Sequence, residues 1–173
     1  SLIQSELLEQ KQRAVLLVER FAGRLQPEHI VVFDRWIDHA DNWATIDGIC
    51  GKIIVKGDPP TDDLLSWPGD GNLWRRRTAA VSLVVPARRG MYLTESFRVA
   101  DKLMADEEDM VRKGVGWLLK EHTAHHPDEV VDYLKSWTAR TSRLVLRYAT
   151  EKLPPERRNE VLSYRERPAP SPQ

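Results

Sequence analysis

The sequence predicts an all-α fold, arranged as an α-solenoid of antiparallel helix pairs. Almost every segment between turn residues places its apolar residues at the three- and four-residue spacing of an amphipathic helix. The apolar run from Val81 to Val85 could instead form a strand, but the sequence offers no evident partner strand for it. One helical motif also recurs along the chain, which is typical of stacked helical repeats.

The first three predicted helices are separated by proline and by polar residues. Apolar residues at a helical spacing occupy 6–25, and Pro27 then stands where a helix can restart and continue to Ile37. The pair 41–42 (Asp-Asn) comes directly before the next apolar stripe, which runs from Trp43 to Ile53. An Asx side chain is therefore expected to cap the helix that contains Trp43.

Proline and glycine divide the remainder of the chain. The run 57–60 (Gly-Asp-Pro-Pro) breaks the chain, and Thr61 can cap a short helix that ends near Trp67. Segment 72–85 is predicted to be a helix that Pro86 stops. The remaining helices are predicted over 94–105, 108–122, 127–137 and 140–152, the last of which ends before Pro154 and Pro155. Residues 1–165 are then one helical domain, and the tail 166–173 has too little apolar content to fold.

The recurring motif has three copies. Segment 74–81 aligns with 110–117 at an offset of 36 residues (112 − 76), and the second copy aligns with 141–148 at an offset of 31 residues (143 − 112). Helix pairs repeating at roughly this length are typical of HEAT and armadillo solenoids, whose equivalent helices line a concave face. Basic residues at one point of the repeat are therefore expected on that face, as a DNA-binding surface: Arg75, Arg76, Arg112, Lys113, Arg143 and Arg147.

Composition excludes several classes of protein. Hydrophobic residues are 41% and charged residues 30% of the 173, which is a globular composition. No apolar run approaches the roughly 20 residues that cross a bilayer, and no signal peptide opens the chain. The single cysteine, Cys50, allows no internal disulfide, so a cytoplasmic location is expected. The 26 basic and 26 acidic residues give zero net charge, so nucleic-acid binding requires positive charge gathered on one face.

Two groups of residues are candidates for chemistry. Trp43 and Asp47 stand at i and i+4, which places an indole and a carboxylate side by side on one helix face. The spacing alone favours a packed tryptophan followed by a solvated aspartate, because such pairs arise on any helix. The second group is the run Arg75, Arg76 and Arg77, which is either a solvated charge run or a DNA-backbone contact in which Arg77 forks onto a phosphate.

Other candidates have simpler explanations. His122, His125 and His126 surround a predicted helix end, where histidine is favoured by the helix dipole. Cys50 lies on an apolar helix face and is expected to be a small buried hydrophobe. Neither a metal site nor a glycine-rich nucleotide-binding loop is predicted.

Three stretches resemble the DNA alkylation repair family typified by AlkD. They are Asn-Leu-Trp-Arg-Arg-Arg-Thr-Ala-Ala-Val (72–81), Asp-Met-Val-Arg-Lys-Gly-Val-Gly-Trp-Leu-Leu-Lys-Glu (109–121) and Leu-Arg-Tyr-Ala-Thr-Glu-Lys-Leu-Pro (146–154). The similarity covers residues 9–153, and 111–121 is its most specific part. By this resemblance Asp47 is the catalytic aspartate, Trp43 and Trp117 are the lesion-facing tryptophans, and Arg77 is the supporting, DNA-contacting arginine.

The resemblance implies a glycosylase that excises positively charged N3- and N7-alkylated purines from double-stranded DNA, without a cofactor or metal and without obligatory base flipping. Asp47 would stabilise the oxocarbenium-like sugar. Relatives typically carry further helices before the position of Ser1, so this chain is expected to be without them, and to act as a monomer that associates with the nucleoid. Two alternatives stay open: a non-catalytic HEAT-repeat protein that binds distorted or branched DNA, and a protein-interaction scaffold.

Overall fold

The computed structural model describes residues 1–25, 29–52, 54 and 65–164, and these residues form helices and no β-strand. The predicted all-α class is confirmed. The α-helices described are α1 (Leu8–Glu19), α2 (Ile30–Ile37), α3 (Trp43–Lys52), α4 (Leu73–Val81), α5 (Val84–Ala87), α6 (Leu93–Leu103), α7 (Asp109–His122), α8 (Pro127–Trp137), α9 (Arg143–Ala149) and α10 (Pro155–Ser163). None of them is long and apolar enough to cross a bilayer. The predictions for Pro27, for the break at 57–60, for Thr61 and for the tail 166–173 lie outside the described residues.

Four helices pack side by side in chain order and form what we call the inner row: α3, α4, α7 and α9. Helix α1 packs on α3, α6 packs on α7, and α8 contacts both α7 and α10. This order is consistent with the predicted α-solenoid. Fully buried aliphatic side chains, including Ile46, Leu118 and Leu146, connect the inner row and the helices packed on it in one continuous core.

Polar side chains fix where two of the inner helices, α3 and α4, begin. The Asn42 side-chain oxygen accepts a hydrogen bond from the Thr45 amide at 2.9 Å, which confirms the predicted Asx cap of α3. Asn72 caps α4 in the same way, through the Trp74 amide at 2.9 Å. Each such cap contributes about 1 kcal/mol to the stability of its helix. Local sequence therefore sets the register in which α3 and α4 present their side chains.

One prediction that involved proline is wrong, and one helix that begins at a proline was not predicted. Pro86 does not stop a helix: α4 ends at Val81, and Pro86 is the third residue of α5. The amide of that position has no partner within a helix, so proline costs no hydrogen bond there. Pro155 likewise begins α10, a helix that the sequence did not predict, at the first position that proline favours.

Two glycines of α7 set its distance from its neighbours. A Cβ added at Gly116 would lie 2.5 Å from the Tyr148 Cβ and 3.1 Å from the Val145 carbonyl oxygen, so α7 and α9 approach closely only because the side chain is missing. At Gly114 the nearest atom to an added Cβ is 3.4 Å away, on Val81 of α4, which is ordinary contact. The close approach at Gly116 brings α9 to the edge of the site.

Candidate functional site

A recess on the inner row brings together the four residues that the sequence predicts to be catalytic. Trp43 and Asp47 come from α3, Arg77 comes from α4, and Trp117 comes from α7. The recess has a volume of about 340 Å³. The rest of its lining consists of Met110, Lys113, Lys120 and Tyr148. Residues separated by more than 70 positions in the sequence therefore share one site.

The centre of the recess is an ion pair between Asp47 and Arg77. The Arg77 Nε donates to Asp47 Oδ1 and its Nη2 donates to Oδ2, both at 3.0 Å. Its Nη1 donates to the carbonyl oxygen of Met110, in the first turn of α7. Only 5% of Arg77 is exposed. The guanidinium fork, which the sequence was expected to direct at a phosphate, is thus directed at Asp47 and joins three helices of the inner row.

Asp47 is held in an environment that opposes its charge. Burial raises the pKa of its carboxyl group above the ordinary value, and the hydrogen bonds and charge of Arg77 act in the opposite direction without cancelling that rise. The side chain keeps 18% of its surface exposed. Each carboxylate oxygen can accept a second hydrogen bond beyond the one from Arg77. Asp47 can therefore bind a water molecule and face a positively charged ligand in the recess.

The two tryptophans of the recess are held differently. Trp43, the first residue of α3, is 54% exposed and stands one turn before Asp47. Trp117 is partly buried, and its Nε1 donates to Glu121 Oε1 at 2.9 Å. The guanidinium carbon of Arg88 lies 5.7 Å from the centroid of the Trp117 ring. Trp43 can adjust to a ligand, whereas contacts on its edge and on one face fix Trp117.

Several arginines predicted to contact DNA are engaged within the protein. Arg75 pairs with Asp34 at 2.5 Å and with Asp38 at 2.9 Å, and Arg76 pairs with Asp106 at 2.7 Å. The run of three arginines is therefore not a solvated charge run. Two further contacts of this kind join Arg112 to the carbonyl oxygen of Asp106 and Arg143 to that of Leu162.

Lys113 and Arg147 have no hydrogen-bond or ion-pair partner among the described residues. Each is the fifth residue of its helix, as are Asp47 of α3 and Arg77 of α4. The helix starts place the third copy of the repeat 34 residues after the second (143 − 109), not 31 as aligned from the sequence. In this register Arg147, and not Arg143, is equivalent to Lys113. Lys113 lines the recess together with the Asp47–Arg77 pair, and Arg147 is exposed on the next helix of the inner row.

Some recess residues escaped the sequence reasoning. Lys120 and Tyr148 were not candidates, and Met110 enters only through its backbone carbonyl and its place in the lining. The signal for Lys120 was present, because Lys113, Trp117 and Lys120 stand at i, i+4 and i+7 on α7 and so share one face. Tyr148 gave no local signal, since its place depends on the approach of α9 to Gly116.

The remaining candidates are structural. Cys50 is buried, and burial raises the pKa of its thiol to about 12, so it behaves as a small hydrophobe. His122 is buried and bonded to Ser96 Oγ at 2.8 Å, while His125 and His126 contact backbone carbonyls of the loop after α5. Within the described residues, no group of three or more His, Cys, Asp or Glu side chains is placed to hold a metal ion.

Comparison with known proteins gives one family. A family model described as DNA alkylation repair enzyme matches residues 1–153. None of the curated proteins compared with the chain matches it. The matched range contains the whole inner row and every residue of the recess.

Proposed function

The chain belongs to the DNA alkylation repair enzyme family, and from this premise we propose that it is a DNA glycosylase for positively charged N3- and N7-alkylated purines in duplex DNA. Membership of the family makes DNA its partner and DNA repair its role. The observation that best supports this reaction is the mostly buried carboxylate of Asp47, which faces a recess walled by two indoles.

The proposed reaction needs a negative charge beside a sugar. An N3- or N7-alkylated purine is cationic. The glycosidic bond from its N9 to C1′ of the deoxyribose therefore breaks readily, and the electron pair leaves with a base that has become neutral. The sugar is left with positive charge, and a carboxylate within a few ångströms stabilises that charge. Water then bonds to C1′ and loses a proton. Asp47 can stabilise the sugar cation and can also accept this proton, because burial raises the pKa of its carboxyl group and so makes the carboxylate a better proton acceptor.

Arg77 serves this reaction by positioning Asp47. Its two parallel hydrogen bonds hold the carboxylate plane, and its third bond, to Met110, ties that plane to α7. A bidentate pair of this kind adds geometric specificity as well as energy. Placing the catalytic carboxylate before substrate arrives lowers the reorganisation required in the reaction.

The indoles of Trp43 and Trp117 provide the walls for the lesion nucleotide. An aromatic face attracts a cation, and a contact of this kind contributes roughly 0.5–2 kcal/mol. The cationic base and the developing cationic sugar both gain from it, and an undamaged neutral base does not. The proposal therefore attributes part of the preference for charged lesions to these two rings.

The proposal assigns the nearest phosphate contacts to Lys113 and Arg147. Lys113 lines the recess, Arg147 is exposed on the neighbouring helix α9, and neither has a hydrogen-bond or ion-pair partner in the described part of the chain. Neighbouring packed helices lie roughly 8–10 Å apart, so a strand crossing the inner row would meet these cations in turn. Phosphate contacts remain predictions for the other arginines: Arg75, Arg76, Arg77, Arg112 and Arg143. To bind a phosphate, each of these arginines would have to leave or share its present partner within the protein.

A base-release assay tests the proposal. Wild type is incubated with methylated duplex DNA, and free 7-methylguanine and 3-methyladenine are measured against the Asp47→Asn variant. We expect release by wild type and a loss of about a hundredfold or more in the variant, as for other groups that stabilise developing charge. Asp106→Asn is the matched control, because Asp106 is also a buried arginine partner but does not line the recess; it should retain activity.

The alternatives give different results in the same experiments. A non-catalytic DNA-binding protein would bind DNA in a salt-sensitive way, release no base and be indifferent to Asp47→Asn. A protein-interaction scaffold would bind no DNA even at low salt. Equal release by wild type and Asp47→Asn would contradict the catalytic role of Asp47 directly.

A further inference from the structure

Glu121 is a buried carboxylate that stands behind the recess, one turn after Trp117 on α7. Only 4% of it is exposed. Its Oε1 accepts the hydrogen bond from the Trp117 indole at 2.9 Å, and its Oε2 accepts one from Lys152 Nζ at 2.6 Å. The Arg88 Nε lies 3.4 Å from the same Oε2. The Trp117 indole thus belongs to a cluster of four residues, which also contains Glu121, Lys152 and Arg88.

The cluster contains more charged groups than a hydrogen bond to one indole N–H requires. A single backbone carbonyl satisfies an indole N–H, whereas a buried carboxylate carries a desolvation cost of several kcal/mol that only close cations offset. Here the cations come from two other parts of the chain: Arg88 follows α5, and Lys152 follows α9. Arg88 also lies over the ring of Trp117. The cluster therefore holds the indole by its edge and by one face, which together define the plane of the ring.

We infer that Glu121 is the positioning residue for Trp117, and that Lys152 and Arg88 hold Glu121 in place so that the indole keeps one orientation in the recess. The inference rests on the proposed function only in that Trp117 meets the substrate there. A carboxylate gives this role more force than a neutral acceptor, because charge-assisted hydrogen bonds are roughly twice as strong.

The electrostatics agree with this role. Burial alone would raise the pKa of Glu121, but hydrogen bonds from Lys152 and Trp117 and the charge of Arg88 together lower it below the ordinary value. Glu121 is therefore ionised at neutral pH. The positive charges of Arg88 and Lys152 also outweigh its negative charge, so the cluster does not present a net negative charge to a DNA strand beside the recess.

The hydrogen bond is tested directly by the indole N–H signals in a proton–nitrogen NMR spectrum of the whole chain. The Trp117→Phe variant identifies the Trp117 signal by its loss. We expect this signal to exchange slowly with water in wild type, to shift upfield in Glu121→Gln, which keeps the size and an acceptor oxygen, and to exchange rapidly in Glu121→Leu. Asp106→Asn should leave it unmoved. An unchanged signal in Glu121→Gln would overturn the inference, even if Glu121→Leu does not fold.

A double-mutant cycle tests the consequence for the reaction. The rate constant of base release is measured in single turnovers at saturating protein, so that changes in DNA affinity do not enter. Glu121→Gln should lower it about tenfold, because a neutral acceptor replaces a charged one. In the Trp117→Phe background, which has no N–H to bind, Glu121→Gln should have no further effect. An equal loss in both backgrounds contradicts the inference. Absence of base release in wild type would contradict the proposed glycosylase, and the NMR result would still decide the role of Glu121.

Discussion

Replacing Arg77 with methionine measures what the ion pair at the centre of the recess contributes. The substitution keeps much of the side-chain length but removes three hydrogen bonds and leaves the Asp47 carboxylate without its partner. Breaking a fully buried pair costs about 3–5 kcal/mol. Because 18% of the Asp47 side chain reaches the recess, water offsets part of this cost, and we expect a loss of about 2–3 kcal/mol. For a chain of this length that corresponds to a fall in Tm of about 5–10 °C.

The loss should depend on pH. Burial raises the pKa of Asp47 and Arg77 lowers it, so the variant leaves the effect of burial unopposed and the pKa rises further. A carboxyl group whose pKa is higher in the folded than in the unfolded chain destabilises the fold as the pH rises from about 4, its unfolded value, through its folded value. The destabilisation of Arg77→Met is therefore greatest at neutral pH and smallest where Asp47 is protonated in both states.

Urea unfolding followed by circular dichroism at pH 7 and at pH 4.5 measures both effects. The double variant Asp47→Asn/Arg77→Met is the control, because it has no carboxylate that could be left without its partner. We expect it to regain at least about 1 kcal/mol of the loss at pH 7 and to show a smaller dependence on pH than the single variant. The reasoning is refuted if Arg77→Met loses the same free energy at both pH values and the double variant is no more stable than the single one.

Three further predictions concern packing, DNA and pH. Gly116→Ala should lower the free energy of unfolding by about 2 kcal/mol through its clash with α9, whereas Gly114→Ala should stay within about 1 kcal/mol of wild type; urea unfolding compares them. Lys113→Ala should reduce the slope of log Kd for DNA against log salt by about 1, and Arg98→Ala, an exposed residue of α6, should not change it; fluorescence anisotropy measures both. Burial lowers the pKa of His122 to about 4, so the fold should lose about 3 kcal/mol as the pH falls from 6.5 towards 4. His122→Gln should show a flatter pH dependence of unfolding, and an equally steep one would contradict this explanation.

Local features of the site could be predicted from the sequence. The cap at Asn42 and the spacing of Trp43 and Asp47 depend on contacts within one helix, so the pattern of residue types is sufficient. The partners of the three arginines could not be predicted in this way. Arg75 and Arg77 bind carboxylates 30 or more positions away, and no local pattern distinguishes the guanidinium that pairs with Asp47 from its neighbours.

The prolines show the same limit for the fold. Proline restricts its own φ angle and lacks an N–H, which makes it equally suited to follow a helix or to open one. Pro86 lies in the first turn of a short helix and Pro155 opens another. Which role each takes depends on the hydrophobic surface available to the residues that follow, such as Val161, which is fully buried. That surface is formed by other helices and is not visible in the residues next to the proline.

The three bonds of Arg77 have a mechanical consequence. Each repeat of a helical solenoid contacts only its neighbours, so small adjustments at successive interfaces add up along the stack. The guanidinium of Arg77 joins three successive helices of the inner row, α3, α4 and α7, through its hydrogen bonds. This segment therefore cannot lengthen without losing those bonds. Any compliance of the protein towards a curved duplex is then left to the interfaces on either side. This stiff segment would keep the distance between the Asp47 carboxylate and the Trp117 indole constant while the rest of the molecule conforms to the DNA.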